Sequence, residues 1–408
     1  MTPCVRPTPF FPPRLLGDEV SAARLFHLSD LEAPQGLGPD LMVSGVLNML
    51  RAGAQELSLR VSGSRVVEGV DDYWSLRLLG CQMAAVSDEA RERAGVPLEA
   101  LGFYDEVTGG WPRVYQSVLD LVRRDRPTPL VMLKAIGRSR LWAKLEWYNP
   151  LSLSIKDRTA LNLVEWRIHE IRRAGAVYEA SSSNTAVALA ALSRLFGFRV
   201  RAYIPSTSEP FGPQLVSLLG GEVVQAGSST YELRPLAREE AERDGAVFLN
   251  QFESYLNPLA HIRWTAKELD YQSKFGGLRL RAVVVTMGTR GHAAGVATYF
   301  RLRRPEVRVI GVQPGEGSSI PGLRRQEGWP WPGFAAPHEV VDVPEDEALR
   351  AAVDVSRETG LLFGPSGGAA VSAALRLMRD GGEDGDYVVV VPDHGVKYLR
   401  LYIGGREA

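Results

Sequence analysis

The chain has 408 residues, and 45% of them are hydrophobic, which is enough for two or three domains with sizeable cores. Its 47 Lys and Arg residues nearly balance 48 Asp and Glu residues, which leaves a formal net charge of −1 and favours neither nucleic acid nor an anionic membrane as a partner. Two cysteines exclude a disulfide framework, and no stretch approaches the roughly 18 uninterrupted apolar residues of a membrane helix, so we expect a small-molecule partner.

The first 125 residues show no regular alternation of strands and helices, although residues 41–61 suggest a helix leading into a strand. The first 20 residues contain five prolines and lack the apolar core of a signal peptide, so we expect a cytoplasmic protein. We interpret residues 1–125 as an N-terminal extension of unknown role. It ends in RRDRPTPL, where charge and two prolines predict a linker or edge segment.

From residue 141 onward, short apolar strands alternate with helices that end in glycine. The predicted strands are residues 141–147, 176–180, 198–205, 222–226, 281–286, 307–314 and 385–393, and the predicted helices are residues 156–175, 184–197, 211–221, 291–304 and 367–379. Apolar, β-branched strands between such helices are typical of parallel sheets covered on both faces. The predicted fold class is therefore α/β with doubly wound sheets.

Ligands of such sheets bind beyond the carboxyl ends of the strands, so the strand-to-helix turns are the places to search for a site. Four turns carry polar or glycine-rich sequences: NPLSLSIKDR, ASSSNTA, TMGTRGHAAG and FGPSGGAA. The glycines of TMGTRGHAAG would let a helix N-terminus approach a phosphate, or would serve only the turn. The hydroxyls of ASSSNTA suit a carboxylate ligand, but a helix N-cap explains one of them, and an N-cap also explains Ser366 in FGPSGGAA.

Lys156 is the residue with the most unusual position. It lies at a predicted helix start, where the helix dipole disfavours a cation, and alone it would be interpreted as a solvated surface lysine. A lysine kept from full solvation has a lowered pKa and can form a Schiff base. The Ser-x-x-Lys motif of hydrolases fails because Leu153 stands three residues earlier, and the scattered histidines form no metal-binding motif.

In this order, the lysine, the polar loop, the glycine loop and the late serine turn resemble the fold type II pyridoxal-phosphate enzymes of the cysteine synthase group. The resemblance covers residues 126–400 and is closest to archaeal-type O-phosphoserine sulfhydrylase. It rests on KLEWYNPLSLSIKDR, SSNTAVAL, VQPGEGSSIPGLRR, GPSGGAAV and GDYVVVVPDHGVKYL. It implies a homodimer with a large cofactor-binding subdomain, residues 126–156 and 261–408, and a smaller mobile substrate-binding subdomain, residues 157–260.

The resemblance also implies a role for each turn. Lys156 would hold pyridoxal 5′-phosphate as a Schiff base and act as general base. Asn184 would bond the 3′-oxygen of the cofactor, Ser366 would face its pyridine nitrogen, and its phosphate would lie among the backbone N–H groups of Gly288, Thr289, Arg290, Gly291 and His292. The substrate contacts would be Ser181, Ser182, Thr185 and Gln251 for the carboxylate and Arg324 for a phosphate, with Arg325 as its stand-in.

The implied activity is that of a transferase of cysteine biosynthesis, which converts O-phospho-L-serine and sulfide, or another sulfur donor, to L-cysteine and phosphate. Related β-replacement or β-elimination with O-acetylserine, serine or threonine stays open, as does an amine nucleophile that gives a diaminopropionate derivative. A non-catalytic sensor on the same fold is the alternative outside this class. Two residues depart from the family pattern: Ser181 replaces a threonine, and Arg290 brings a cation that would pair with a phosphate or point to solvent.

Overall fold

The computed structural model describes residues 113–325, 327–380 and 383–403. It also describes residues 44, 46 and 47 as helical and six short strands near the N-terminus. Apart from these elements, residues 1–112 lie outside the described residues, and the interpretation of residues 1–125 as an extension stays a prediction. The six strands form three antiparallel pairs, β1 with β5, β2 with β6 and β3 with β4: β1 Arg24–His27, β2 Ala54–Leu57, β3 Arg60–Ser62, β4 Arg65–Glu68, β5 Met83–Val86 and β6 Ala94–Pro97.

The rest of the described chain is built on two sheets. One has six strands in the order β15-β14-β13-β16-β8-β7, parallel except for the antiparallel edge strand β7: β7 Leu130–Ile136, β8 Ser139–Leu145, β13 Leu280–Thr286, β14 Arg308–Pro314, β15 Glu339–Val343 and β16 Asp386–Val391. The other is wholly parallel, in the order β11-β10-β9-β12: β9 Ala176–Ala180, β10 Arg199–Pro205, β11 Glu222–Ala226 and β12 Val247–Phe248. The predicted α/β class is confirmed.

Twelve α-helices are described in this part of the chain: α1 Val118–Arg124, α2 Lys156–Trp166, α3 Ile168–Ala174, α4 Asn184–Phe196, α5 Phe211–Leu218, α6 Thr230–Asp244, α7 Leu256–Ala260, α8 Lys267–Phe275, α9 Gly291–Arg303, α10 Glu345–Thr359, α11 Pro365–Arg379 and α12 Leu399–Ile403. A π-helical segment, His261–Ala266, joins α7 to α8. Gly175 and Gly197 end α3 and α4 in the left-handed conformation, with φ of 69° and 76°, as their sequence positions predicted.

Three details of the sequence prediction are wrong. The helix over residues 156–175 is interrupted at Arg167, whose φ of −108° ends α2 before α3 begins. The strand over residues 141–147 ends at Leu145, because Glu146–Tyr148 form a 3₁₀ turn. Ser366 does not cap α11; the N-cap is Gly364, and Ser366 lies inside the first turn behind Pro365.

Helices cover both faces of the central strands, which explains why those strands are so apolar. Every residue of β9 and β16 is buried. All strands of the four-stranded sheet lie within residues 157–260, the predicted smaller subdomain. The exact boundaries of the two subdomains stay a prediction. In the described residues, no helix is long and apolar enough to cross a membrane, and no group of His, Cys, Asp or Glu could hold a metal ion.

A buried group of four charges ties α2 to both β8 and α8. Arg158 donates to Glu146 (Nε–Oε2 2.6 Å) and to Glu268 (Nη1–Oε1 2.5 Å), and Lys144 donates to Glu268 (Nζ–Oε2 2.6 Å). All four side chains are fully buried. Two positive and two negative side chains therefore form a buried ion-pair network. Removing one of them would leave a buried charge without its partner.

We expect Arg158→Met to lower the free energy of unfolding by about 3–5 kcal/mol, because it leaves Glu146 and Glu268 buried without their main partner. Denaturant unfolding measures the change. Arg350→Met is the matched control, since Arg350 forms an exposed pair with Asp346 worth about 0.5 kcal/mol or less. Equal stability of the two variants would contradict a structural role for the buried group.

Candidate active site

The loop before Lys156 is held in place by the residue that follows the lysine. The buried carboxylate of Asp157 accepts hydrogen bonds from the N–H groups of Leu151 (2.7 Å) and Ser152 (2.9 Å) and from the Ser152 hydroxyl. Leu153 takes a left-handed φ of 50°, which is uncommon for a residue other than glycine. Lys156 is thereby placed at the first position of α2.

The Lys156 amine is set up to be a nucleophile. The side chain is half-buried, and its Nζ makes no hydrogen bond or ion pair within the described part of the chain. Loss of water lowers the pKa of Lys156 to about 8, although the charges of Glu179 and Asp393 oppose the shift. Burial also raises the pKa of Glu179 to about 8, so this neighbour is mostly protonated at neutral pH and supports the ammonium form weakly.

The polar loop before α4 uses its hydroxyls in different ways. Ser181 Oγ accepts from the N–H groups of Ser183 (3.2 Å) and Ala186 (3.3 Å), so it shapes the loop as an N-cap would. Ser182 is exposed. Thr185 Oγ1 donates to Gln251 Oε1 (2.7 Å), and both side chains are buried. The structure therefore brings Thr185 and Gln251 together, as expected if they serve one site.

The glycine loop between β13 and α9 fits an anion. The first N–H groups of a helix have no partner within it, and they point out of the N-terminus of α9. A Cβ at Gly288 would overlap the Gly322 carbonyl, and one at Gly291 would overlap the Asn257 amide. Two close approaches of this kind require glycine, which explains the spacing of the motif.

The side chains of the glycine loop point into the protein. Arg290 takes a φ of 62°, and its buried guanidinium donates to the Gly328 carbonyl and to Gln313 Oε1 (3.4 Å), so the predicted alternative in which it points to solvent is wrong. The His292 ring packs 5.2 Å from the ring of His261, and burial lowers its pKa to about 3. The ring is therefore neutral at pH 7 and brings no charge to the loop.

A long connection between β14 and β15, which we call the strap, crosses this loop: residues 315–325 and 327–338. Arg324 N donates to Met287 O (2.8 Å), and Trp331 Nε1 donates to Thr289 O (3.0 Å). On the same strap, a Cβ at Gly322 would lie 3.6 Å from Ser366 Oγ. The strap therefore adjoins both the glycine loop and Ser366, and connections of this length are commonly functional.

The two arginines of the strap differ in their partners. Arg325 forms an ion pair with Asp342 (Nη1–Oδ2 2.5 Å) and donates to Pro314 O (3.3 Å). The half-buried Arg324 guanidinium lies 5.1 Å from the ring centre of Tyr231 and meets no carboxylate among the described residues. Among the described residues, the Arg324 guanidinium therefore lacks the carboxylate partner that Arg325 has.

Asn257, which was not among the predicted site residues, joins the glycine loop to α2 and to Gln251. Its amide donates to Thr289 Oγ1 (3.0 Å) in the glycine loop and to Gln251 O (2.7 Å), and it accepts from Thr159 Oγ1 (3.2 Å), one turn along α2 from Lys156. The side chain is fully buried. It lies six residues after Gln251 and outside the four turn motifs, and no local pattern marked it as a site residue.

Asp393 and Lys397 were also missed, although they follow the buried strand β16. Lys397 Nζ donates to Asn184 Oδ1 (2.7 Å), and Asn184 Nδ2 donates to Asp393 Oδ2 (2.8 Å). The rule that polar residues beyond the carboxyl end of a parallel strand line a site could have identified both.

The expected cofactor fits these residues. Pyridoxal phosphate requires a reactive amine, an anion cradle and polar partners for its ring. Lys156 supplies an amine with a lowered pKa, the glycine loop supplies a helix N-terminus that a Cβ would obstruct, and Asn184 and Ser366 supply the polar groups. The contacts of Thr159, Asn257 and the strap bring these parts to one place.

We expect Gly291→Ala to weaken cofactor binding about tenfold or more, ~1.4 kcal/mol, because the new methyl group displaces Asn257 and with it Thr289. Absorbance titration of the apoprotein with pyridoxal phosphate measures the dissociation constant. Gly315→Ala is the control, since a Cβ there would make only ordinary contacts of 3.6 Å with Pro344 and Ser318. Equal affinities would mean that the close packing at Gly291 does not shape the cradle.

Comparison with known proteins agrees with this chemistry. Residues 122–393 match the family described as "Pyridoxal-phosphate dependent enzyme". Cysteine synthase B of Escherichia coli K12 is 34% identical over 293 residues, which cover 69% of this chain and 94% of that protein. O-ureido-L-serine synthase of Streptomyces lavendulae is 32% identical over 313 residues, which cover 71% and 93%.

Solved structures show the same relationship. A crystal structure of O-ureido-L-serine synthase superposes with a TM-score of 0.63 at 28% identity, covering 72% of this chain and 96% of that one. The O-acetylserine dependent cystathionine beta-synthase of Helicobacter pylori gives a TM-score of 0.61 at 26% identity, covering 70% and 97%. Together with the match over residues 122–393, these similarities mean that the chain belongs to the cysteine synthase family of fold type II enzymes, whose cofactor is pyridoxal 5′-phosphate.

Proposed function

We propose that the protein is an O-phosphoserine sulfhydrylase, which replaces the phosphate of O-phospho-L-serine with sulfide, or with sulfur from another donor, to give L-cysteine. The observation that carries the proposal is the Arg324 guanidinium, which lies on the strap beside the glycine loop and meets no carboxylate in the part of the chain that the structure describes. A phosphate ester presents a dianion to the site, and a planar guanidinium binds such an oxyanion through two parallel hydrogen bonds. An acetyl ester would leave this cation unused.

The other residues have assignable tasks in this reaction. Bound pyridoxal phosphate supplies an electron sink for the amino acid attached to it. Lys156, released when the substrate binds, takes the Cα proton on Nζ and returns it at the end, for which its lowered pKa is suited. Ser366, a neutral partner for the pyridine nitrogen, keeps that sink weaker than a carboxylate would, which favours loss of a group from Cβ over transamination.

Binding of the substrate carboxylate is assigned to the loop before α4. The groups proposed are the hydroxyls of Ser181 and Ser182, the second Nε2 hydrogen of Gln251 and the N–H groups at the start of α4. Thr185 belongs to the same set, but its hydroxyl donates to Gln251 here and would have to turn to donate to a carboxylate. The mutual bond of Thr185 and Gln251, and the bond from Gln251 Nε2 to Ala180 O (3.1 Å), hold this loop against β9. Closure of the smaller subdomain would then exclude water from the reacting atoms.

A different leaving group is the main alternative. Relatives are named cysteine synthase B, O-ureido-L-serine synthase and O-acetylserine dependent cystathionine beta-synthase, so O-acetylserine with sulfide or a larger nucleophile is the second candidate. A cytoplasmic homodimer also stays a prediction. Cysteine formation from O-phosphoserine and sulfide, with little or none from O-acetylserine, is the result expected of our proposal.

Arg324→Ala is expected to lower kcat/KM for O-phosphoserine about 10- to 100-fold, because it removes hydrogen bonds to a charged group worth about 1.5–3 kcal/mol. Turnover of O-acetylserine, where measurable, should change little. Arg325→Ala is the matched control, since Arg325 is bound to Asp342. If Arg324→Ala turned over O-phosphoserine as the parent does, the assignment of the phosphate contact would be wrong.

The pH dependence of cofactor attachment tests the state of Lys156. Only the neutral amine attacks an aldehyde, and because its pKa is lowered to about 8, neutral amine accumulates as pH rises through 8. At pH 7 about one molecule in ten carries it, compared with about one in 3000 for an ordinary lysine. We expect the attachment rate of apoprotein and pyridoxal phosphate to level off above pH 9, with no stable adduct in Lys156→Ala. A rate that rises up to pH 10.5 would contradict the shift.

A further inference from the structure

Lys397 is a buried cation that the reaction described above does not use. It lies in the 3₁₀ turn Gly395–Tyr398 beyond β16, and only 6% of its surface is exposed. Its ammonium group donates to Ser152 O (2.6 Å), to Leu153 O (3.2 Å) and to Asn184 Oδ1 (2.7 Å). An ammonium has three hydrogens, so these three acceptors saturate it.

Two of those acceptors belong to the loop that leads into Lys156. Leu153 is the residue with a left-handed φ of 50°, and the ammonium draws its carbonyl and that of Ser152 toward one point. A backbone held in a sparsely populated conformation persists only where surrounding contacts fix it. Lys397 therefore connects the lysine loop with the loop that carries Asn184.

The third contact determines which way the Asn184 amide faces. Lys397 can only donate, so the atom against it must be the oxygen, and the Asp393 carboxylate can only accept, so the atom against it must be the nitrogen. Asp393 is itself held by the Tyr398 hydroxyl (2.5 Å). An amide between a cation and an anion has one favourable orientation. Flipping it would place the amide NH2 group against the Lys397 ammonium and the amide oxygen against the Asp393 carboxylate.

We propose that Lys397 is a positioning residue for the cofactor: by fixing the amide of Asn184, it keeps an Nδ2 hydrogen directed at the 3′-oxygen of pyridoxal phosphate. The amide nitrogen has two hydrogens, and the bond to Asp393 uses one. The cation on Oδ1 also polarises the amide and strengthens the hydrogen bond that Nδ2 donates. The proposal rests on the role proposed for Asn184, but not on which amino acid is the substrate.

The absorption spectrum of the holoenzyme tests this before any substrate is added. The band position reports where the proton lies between the 3′-oxygen and the nitrogen of the lysine linkage, and a donor at that oxygen favours the long-wavelength form. In Lys397→Met, we expect a shift of intensity to the short-wavelength form and about tenfold weaker cofactor binding, the effect of losing one charge-assisted hydrogen bond. Lys397→Arg should retain most of the long-wavelength band.

The decisive comparison is a double-mutant cycle with Asn184→Ala. If Lys397 acts through Asn184, the double variant Lys397→Met with Asn184→Ala should have the spectrum and affinity of Asn184→Ala alone. Additive changes, or a parental band in Lys397→Met, would overturn the proposal. Lys134→Met controls for loss of a lysine, since Lys134 pairs with Glu358 at the surface.

If Lys397→Met does not accumulate as folded protein, Lys397→Gln decides the question. Glutamine has an amide donor for the loop carbonyls, but it lacks the charge that polarises Oδ1 of Asn184 and leaves Asp393 alone to orient the amide. A loss of long-wavelength intensity in Lys397→Gln, with a melting temperature close to that of Lys134→Met, supports the proposal. An unchanged band in that variant overturns it.

Discussion

The active site depends on the burial of Arg158 between Glu146 and Glu268. A guanidinium removed from water is tolerated only with its charge compensated, and both carboxylates are within 2.7 Å of its nitrogens. Because Arg158 lies in the first turn of α2, this requirement fixes where that helix begins. Glu146 follows β8 and Glu268 belongs to α8, so the helix start is located relative to both the large sheet and the helices behind it.

A lysine at this helix start would otherwise be unfavourable, since the N-terminal end of the helix dipole repels a cation. The next residue is acidic: the carboxylate of Asp157 accepts hydrogen bonds from two N–H groups of the preceding loop. Burial lowers the pKa of the Lys156 amine and so favours its neutral form. Asp157 thus fixes the peptide around Lys156, while the charges of Glu179 and Asp393 only partly offset the effect of burial on its ammonium group.

Local sequence signals located the parts of the site that depend on local structure. Glycines 175 and 197 ended helices as predicted, and the turns after β8, β9 and β13 lie at the carboxyl ends of strands, because both features depend on backbone conformation that a few residues encode. The break at Arg167 was not predictable from a continuous apolar pattern. Nor was the partnership of Lys397 with Asn184, since 213 positions separate the two residues and only the tertiary fold joins them.

The two attachments of the strap to the glycine loop do not depend on the side chain of residue 324. The strap is fastened to the glycine loop by the backbone N–H of residue 324 and by the indole of Trp331, and neither bond involves the guanidinium of Arg324. Position 324 can therefore exchange its side chain while the cradle keeps both attachments. If Arg324 binds the leaving group as proposed, a substitution at this position would change which leaving group is accepted while both attachments of the strap to the glycine loop are retained.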